Sequence, residues 1–134
     1  MQLILKFKFE VEGSVSKECI IGTVFGQTEG LFGPELDLSE LNSKEQVGWI
    51  EVETKIVNNK TYGTLILPLK VDHKVAAIIA ASIEMIRGAG LGFPVKFTLE
   101  KIEDVNAEVR KQVVARAKEI LKEWNLTNQP PSIE

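Results

Sequence analysis

Val47-Gly-Trp-Ile-Glu-Val-Glu-Thr-Lys-Ile-Val-Asn-Asn-Lys-Thr-Tyr-Gly-Thr-Leu-Ile-Leu-Pro-Leu69 is the stretch on which the fold turns. Residues 47–57 read as one strand and residues 60–69 as its return, ended near Pro68. Asn58-Asn59 stands between them, and Asn tolerates the left-handed backbone that a tight hairpin turn needs. A central hairpin of this kind leaves each flank to supply a strand and a helix.

On the N-terminal side, residues 2–12 alternate. Leu3, Leu5, Phe7, Phe9 and Val11 share one face, and Lys6, Lys8, Glu10 and Glu12 share the other, as in a half-buried strand. Ser16 is placed to cap a helix that runs to about Gln27, with Ile20, Ile21, Val24 and Phe25 on its apolar face. A Gly-rich loop is expected over Phe25–Pro34, and Ser39 is placed to cap one further turn. On the C-terminal side, Asp72 caps an Ala-rich helix that Gly88-Ala-Gly-Leu-Gly92 terminates. Residues 94–102 form a fourth strand, and a long helix covers about Val105 to Trp124.

The order β-α-β-β-α-β-α is that of an α+β, ferredoxin-like split βαββαβ fold: a four-stranded antiparallel sheet with an added C-terminal helix. The first two helices belong on one face of the sheet, and the third at an edge or across part of the open face. One domain is expected over residues 1–126, followed by a disordered tail at 127–134.

Composition narrows the function. Sixteen Lys and Arg against nineteen Asp and Glu give a formal charge of -3, which excludes a uniformly basic nucleic-acid binder but not a local basic patch. His73 is the only histidine, so a histidine-rich metal site is excluded. The glycines at 88, 90 and 92 follow a helix instead of opening one, which excludes a dinucleotide loop. Glu103-Asp104 stands before the last helix and suits its positive N-terminus. No nucleophile elbow and no phosphate loop occurs. Cys19 has no partner in the chain, lies among apolar residues and reads as a buried structural thiol; neither a signal peptide nor a membrane span is visible, and a cytoplasmic location is expected. The residues therefore point to a binding module that is not itself an enzyme and needs no cofactor.

Three binding surfaces stand out. Gly22, Gly26 and Gly30 recur every four residues. They serve either close packing of the first helix on the sheet or a backbone surface presenting Gln27, Thr28 and Glu29 to a partner. On the last helix, Lys111, Lys118 and Lys122 fall in one narrow strip opposite Val109, Val113, Ala117, Ile120, Leu121 and Trp124. That strip is either a solvated face or a set of phosphate contacts. On the outer face of the sheet, Lys6, Lys8, Tyr62 and Lys96 are expected as neighbours, where lysines beside an aromatic could hold single-stranded RNA.

Phe25-Gly-Gln-Thr-Glu-Gly-Leu-Phe-Gly33, Leu36-Asp-Leu-Ser-Glu-Leu41, Gly48-Trp-Ile-Glu-Val-Glu53, Ala77-Ile-Ile-Ala-Ala81, Glu100-Lys-Ile-Glu-Asp-Val105 and Arg116-Ala-Lys-Glu-Ile-Leu121 together resemble the N-terminal domain of the archaeal DnaG-type primases. The likeness runs from about Ile4 to Trp124. It implies a parent protein that is a DNA primase, a nucleotidyltransferase of the primosome, making RNA primers through a Toprim domain that holds magnesium and is absent here. It also implies a place in the archaeal RNA-degrading exosome, with this domain docking on an S1-domain cap subunit and favouring adenine-rich RNA, and an association with the replicative helicase. A membrane partner is not implied. Three features depart from the family pattern: Trp49 stands where Arg is usual, Pro68-Leu-Lys-Val-Asp-His73 replaces a Pro-Ser-Ser-Leu-Asp-Arg type of run, and the Gly88 to Gly92 turn is unusual. Trp49 removes an Arg contact to phosphate or carboxylate and offers stacking or partner contact on the outer sheet face instead. A protein-binding or oligomerising domain without RNA affinity is the alternative.

Overall fold

A computed structural model describes residues 2–33, 36–87, 93–103 and 105–128, of which 31–32 and 125–128 as backbone only. The element order is β1 (Leu3–Val11), α1 (Lys17–Phe32), α2 (Leu38–Ser43), β2 (Glu51–Val57), β3 (Lys60–Leu69), α3 (His73–Glu84), β4 (Val95–Glu103) and α4 (Ala107–Asn128). The four strands form one antiparallel sheet in the order β2-β3-β1-β4. This is the expected α+β, ferredoxin-like arrangement with a C-terminal helix.

The alternation in β1 does what its period requires. Leu3, Leu5, Phe7, Phe9 and Val11 are buried, and they pack with Leu65, Leu67 and Leu69 of β3 and Val95, Phe97 and Ile102 of β4. Asn58 and Asn59 take φ of 52° and 64°, a turn whose twist suits two strands meeting at Val57 and Lys60. Thr61 ties β3 to the exit of β1: its buried hydroxyl donates to the Gly13 carbonyl at 2.7 Å and accepts from the Val15 N–H at 3.1 Å. In β4 the register shifts, so that Lys6 faces Lys101 and Phe7 faces Leu99, leaving Glu100 as an unpaired bulge.

Helix α1 corrects the expected loop. Ser16 caps it, accepting from the Cys19 N–H at 3.3 Å, but the helix runs on through Phe25-Gly-Gln-Thr-Glu-Gly-Leu-Phe32. The inward pattern continues past Val24 to Thr28, whose hydroxyl donates to the Val24 and Phe25 carbonyls. The stop comes at Gly33, with φ 88° and its N–H on the Glu29 carbonyl. Helix α2 is capped by Asp37, which accepts from the Ser39 N–H at 2.9 Å; Ser39, the expected cap, is inside the helix, two residues past Asp37.

Asp72 caps α3 as its position predicted, accepting from the Val75 N–H at 2.9 Å. Almost every side of α3 is buried, because α4 covers the flank that the sheet does not. Val113, Ala117 and Ile120 of α4 join the core there. Helix α4 thus lies in the helical layer beside the β4 edge, and the opposite face of the sheet stays open. It extends to Asn128, taking in the first residues of the expected tail; positions 129–134, the Gly88–Gly92 turn and Asp104 lie outside the described residues.

Candidate functional site

The hairpin register decides what the open face presents. With Val57 opposite Lys60, Lys55 falls opposite Tyr62, Tyr62 opposite Glu10, and Glu10 opposite Lys96. One row across the sheet therefore reads Lys55, Tyr62, Glu10, Lys96. The next row reads Glu53, Thr64, Lys8, Thr98. A shallow depression of about 500 Å³ lies between them, lined by Lys8, Lys55, Tyr62, Lys96 and Thr98 among others. Tyr62, 39% exposed, stands in it. Of the four outer-face residues expected together, Lys8, Tyr62 and Lys96 share this depression. Lys6 lies farther along β1 and does not line it.

Charge pairing divides the lysines. Lys6 is 3.2 Å from Glu103, which also holds Lys101 at 3.0 Å. Lys101 first, then Lys6, hold the Glu103 carboxyl below the usual carboxylate range through charged hydrogen bonds. Lys8 is 3.5 Å from Glu100, the bulge residue. Lys60 sits between Glu12 at 3.3 Å and Glu10 at 3.8 Å, and the hydrogen bond to Glu12 raises its pKa. Among the described residues, no ion pair engages Lys55 or Lys96. Lys55 is a residue that reading for separate strands missed, although the two-residue turn fixes its place opposite Tyr62.

The face continues around the β4 edge. Lys96 and Thr98 also line a second depression with Arg87 and Leu121. A third, sharing Glu84 with the second, is lined by Arg110, Ala117 and Lys118 of α4. The sheet platform and the α4 strip, expected as separate surfaces, are thus linked by neighbouring depressions that share Lys96, Thr98 and Glu84 and reach the strip at Lys118. Lys111, Lys118 and Lys122 are all exposed. Arg116 is not part of the strip: it pairs with Glu119 at 3.0 Å.

The α1 surface differs from both of its expected forms. Thr28 is fully buried, so it is not presented to a partner; Gln27 is half-buried and Glu29 exposed. Gly22, Gly26 and Gly30 do not pack on the sheet either, since a Cβ at each would meet nothing within 4 Å. They form a bare stripe on the solvent side. Cys19 is on that side as well and is exposed, not buried, because the buried positions of this turn belong to Ile20 and Val24. Trp49, 82% exposed, stands just ahead of β2 at the other sheet edge. Among the described residues, no three His, Cys, Asp or Glu side chains gather as a metal site would need, and no helix is long and apolar enough to cross a membrane.

No family model matches the chain. Whole-protein comparison is more informative. The chain is 44% identical over 124 residues to the DNA primase DnaG of Metallosphaera sedula, covering 92% of this chain and 30% of that protein. It is 44% identical over 125 residues to the DNA primase DnaG of Saccharolobus solfataricus, covering 93% of this chain and 30% of that protein. The DNA primase DnaG of Saccharolobus islandicus matches to the same degree, with 31% of its length covered. The chain thus spans about 30% of the length of these relatives. Among solved structures, the de novo designed protein Foldit4 aligns over 79% of this chain and 100% of its own, at 10% identity and a TM-score of 0.47, too distant to carry an argument. Across nearly its whole length, this chain is homologous to the N-terminal region of the archaeal DnaG-type DNA primases.

Proposed function

We propose that this chain is the non-catalytic, RNA-holding and docking part of an archaeal DnaG-type primase. The observation that carries the RNA reading is the depression in which Tyr62 lies exposed between Lys55 and Lys96, which no ion pair engages among the described residues, with further depressions leading toward Lys118. A base can stack on the Tyr62 ring while flanking phosphates meet Lys55 and Lys96. Beyond these depressions, Lys118, Lys111 and Lys122 of α4 offer further cations. Every base has a stacking face, so this platform tolerates sequence, and a preference for adenine reflects stacking strength. Priming chemistry belongs to the Toprim domain of the parent, where magnesium is needed. In the cell, which we take to mean the cytoplasm, the docking partner is the S1-domain cap subunit of the archaeal exosome, with the replicative helicase a further associate of the parent protein.

Fluorescence anisotropy of labelled poly(A) tests the reading. Binding should weaken as salt rises, and Tyr62→Ala and Lys96→Glu should each weaken it at low salt. The absence of binding at low salt would overturn it.

A second reading has its own support. Lys6 and Lys8 are occupied by Glu103 and Glu100, and Trp49 stands 82% exposed in place of an arginine. A protein-binding domain without RNA affinity has this character. Retention of a purified cap subunit by a chain that ignores RNA, and its loss on Trp49→Ala, would select it.

A further inference from the structure

The two edges of the sheet are treated differently. At β4, the backbone N–H of Leu99 donates to the Glu84 carboxylate of α3 at 2.6 Å, and α4 lies alongside. At β2, among the described residues, α1 reaches the strand near its buried Val52, and no side chain is hydrogen-bonded to the outer backbone. Glu51 and Thr54 through Val57 are exposed, and Ile56 and Val57 are 54% and 41% exposed. Of the usual defences of an open edge, β2 has no proline and no bulge and keeps only its charges, Glu51, Glu53 and Lys55.

The sequence of this edge is complementary to itself. We propose that two copies of the chain pair antiparallel through β2, about a two-fold axis at Thr54, joining their sheets into one. In that register Glu53 stands opposite Lys55 of the second copy, and Lys55 opposite its Glu53. Val52 stands opposite Ile56 on the other face, and Thr54 opposite Thr54. Only the outermost pair, Glu51 with Val57, is indifferent.

Peptide geometry agrees with this register. A two-residue turn closes on a hydrogen-bonded pair, here Val57 and Lys60. Counting back, Lys55, Glu53 and Glu51 direct their N–H and C=O groups toward β3. The Glu53 carbonyl confirms the parity, since a Cβ at Gly63 of β3 would lie 1.9 Å from it. Val52, Thr54 and Ile56 therefore direct theirs outward. Centring on Thr54 places those outward residues opposite one another, as hydrogen-bonded pairs require.

Neighbouring registers fail. Centring on Glu53 sets Glu53 against Glu53, and centring on Lys55 sets Lys55 against Lys55. Like charges directly opposite destabilise a sheet. On the inner face, the register brings Ile56, 54% exposed, beside the Val52 position of the second copy.

The experiment is sedimentation velocity in reductant, so that Cys19 cannot link copies, across about 10 µM to about 1 mM, the range of a small interface. The wild-type chain should shift from monomer to dimer. Glu53→Lys and Lys55→Glu should each weaken association about tenfold, since each turns two attractive pairs into two repulsive ones. The double variant should recover most of it. Thr54→Pro, which removes an outward N–H and leaves the β3 bonds in place, should give a monomer with an unchanged circular dichroism spectrum. A chain that is monomeric throughout overturns the proposal. So does a dimer that the single charge reversals leave unaltered, or one that the double reversal fails to restore.

Discussion

Phe9 faces Gly63 across the β1–β3 pair, and its ring occupies the space where a Cβ on Gly63 would stand. That Cβ would come within 2.6 Å of the ring's Cζ and 1.9 Å of the Glu53 carbonyl oxygen. The ring is also held by Phe97, with centroids 5.6 Å apart. A glycine within a strand is thus covered by an aromatic neighbour, which restores the apolar contact that glycine lacks. Gly63→Ala should destabilise the chain by about 1–3 kcal/mol, the cost of overpacking a filled site. Urea denaturation measures it, and an unchanged midpoint would show that the strands have room to separate.

Gly26→Ala should do the reverse. A Cβ at Gly26 meets nothing within 4 Å, on an exposed helix face. Alanine there should stabilise by about 0.5–1 kcal/mol, through helix propensity and a less mobile unfolded chain. Thermal unfolding checks it. A loss of stability would mean that another surface covers this face in solution.

Glu103 gives the chain an acid dependence. Lys101 and Lys6 lower its carboxyl pKa from the usual 4.5, so the folded state binds a proton there less readily than the unfolded state. Its contribution is present above that usual value and is lost as pH falls through the folded one. Wild type should exceed Glu103→Gln in stability near neutral pH and converge with it at about pH 2. Because the group is half-buried and still reached by solvent, added salt should shrink the gap. A constant difference across the acid range would remove Glu103 from the account. Lys60 has the opposite dependence: its raised pKa favours folding below the usual 10.5 and ceases to do so as pH climbs through the folded value.

If RNA passes from the sheet face to α4, Lys96→Glu and Lys118→Glu should each lower the slope of log affinity against log salt by about 0.7, the share of one single-strand phosphate contact. Lys6→Glu should change the slope less, since Lys6 is already 3.2 Å from Glu103. Anisotropy titrations at several salt concentrations provide the slopes. Equal effects at all three positions would point to diffuse attraction instead of a path.

The alternation of β1, the Asn58-Asn59 turn and the Asp72 cap were legible because each depends on neighbours within a few residues. Helix α1 was not. Gly26 and Gly30 signal a break locally, whereas the buried spacing of Ile20, Val24 and Thr28, a matter of tertiary packing, keeps the helix going. Cys19 misled for a related reason: its apolar neighbours are buried, but one step around a helix is 100°, enough to turn it outward. The site was half legible. Tyr62, Lys8 and Lys96 follow from strand parity, but Lys55 needed the exact pairing of β2 with β3. The link from sheet face to α4 could not be read at all, because no periodicity tells on which side of a sheet edge a terminal helix will settle.

The bare stripe of Gly22, Gly26 and Gly30 has a consequence in time as well as in space. The three glycines bring no side chain to that flank, where a Cβ would meet nothing within 4 Å, and each costs the helix about 1 kcal/mol relative to alanine. Amide protons in the second half of α1 should exchange with solvent well before those of β1 and β3, which lie at the centre of the sheet. The domain would then breathe unevenly, with a firm sheet under a helix that opens and closes on its own schedule. Whatever meets α1 would have to bind it between openings, so its on-rate would carry the signature of that rhythm.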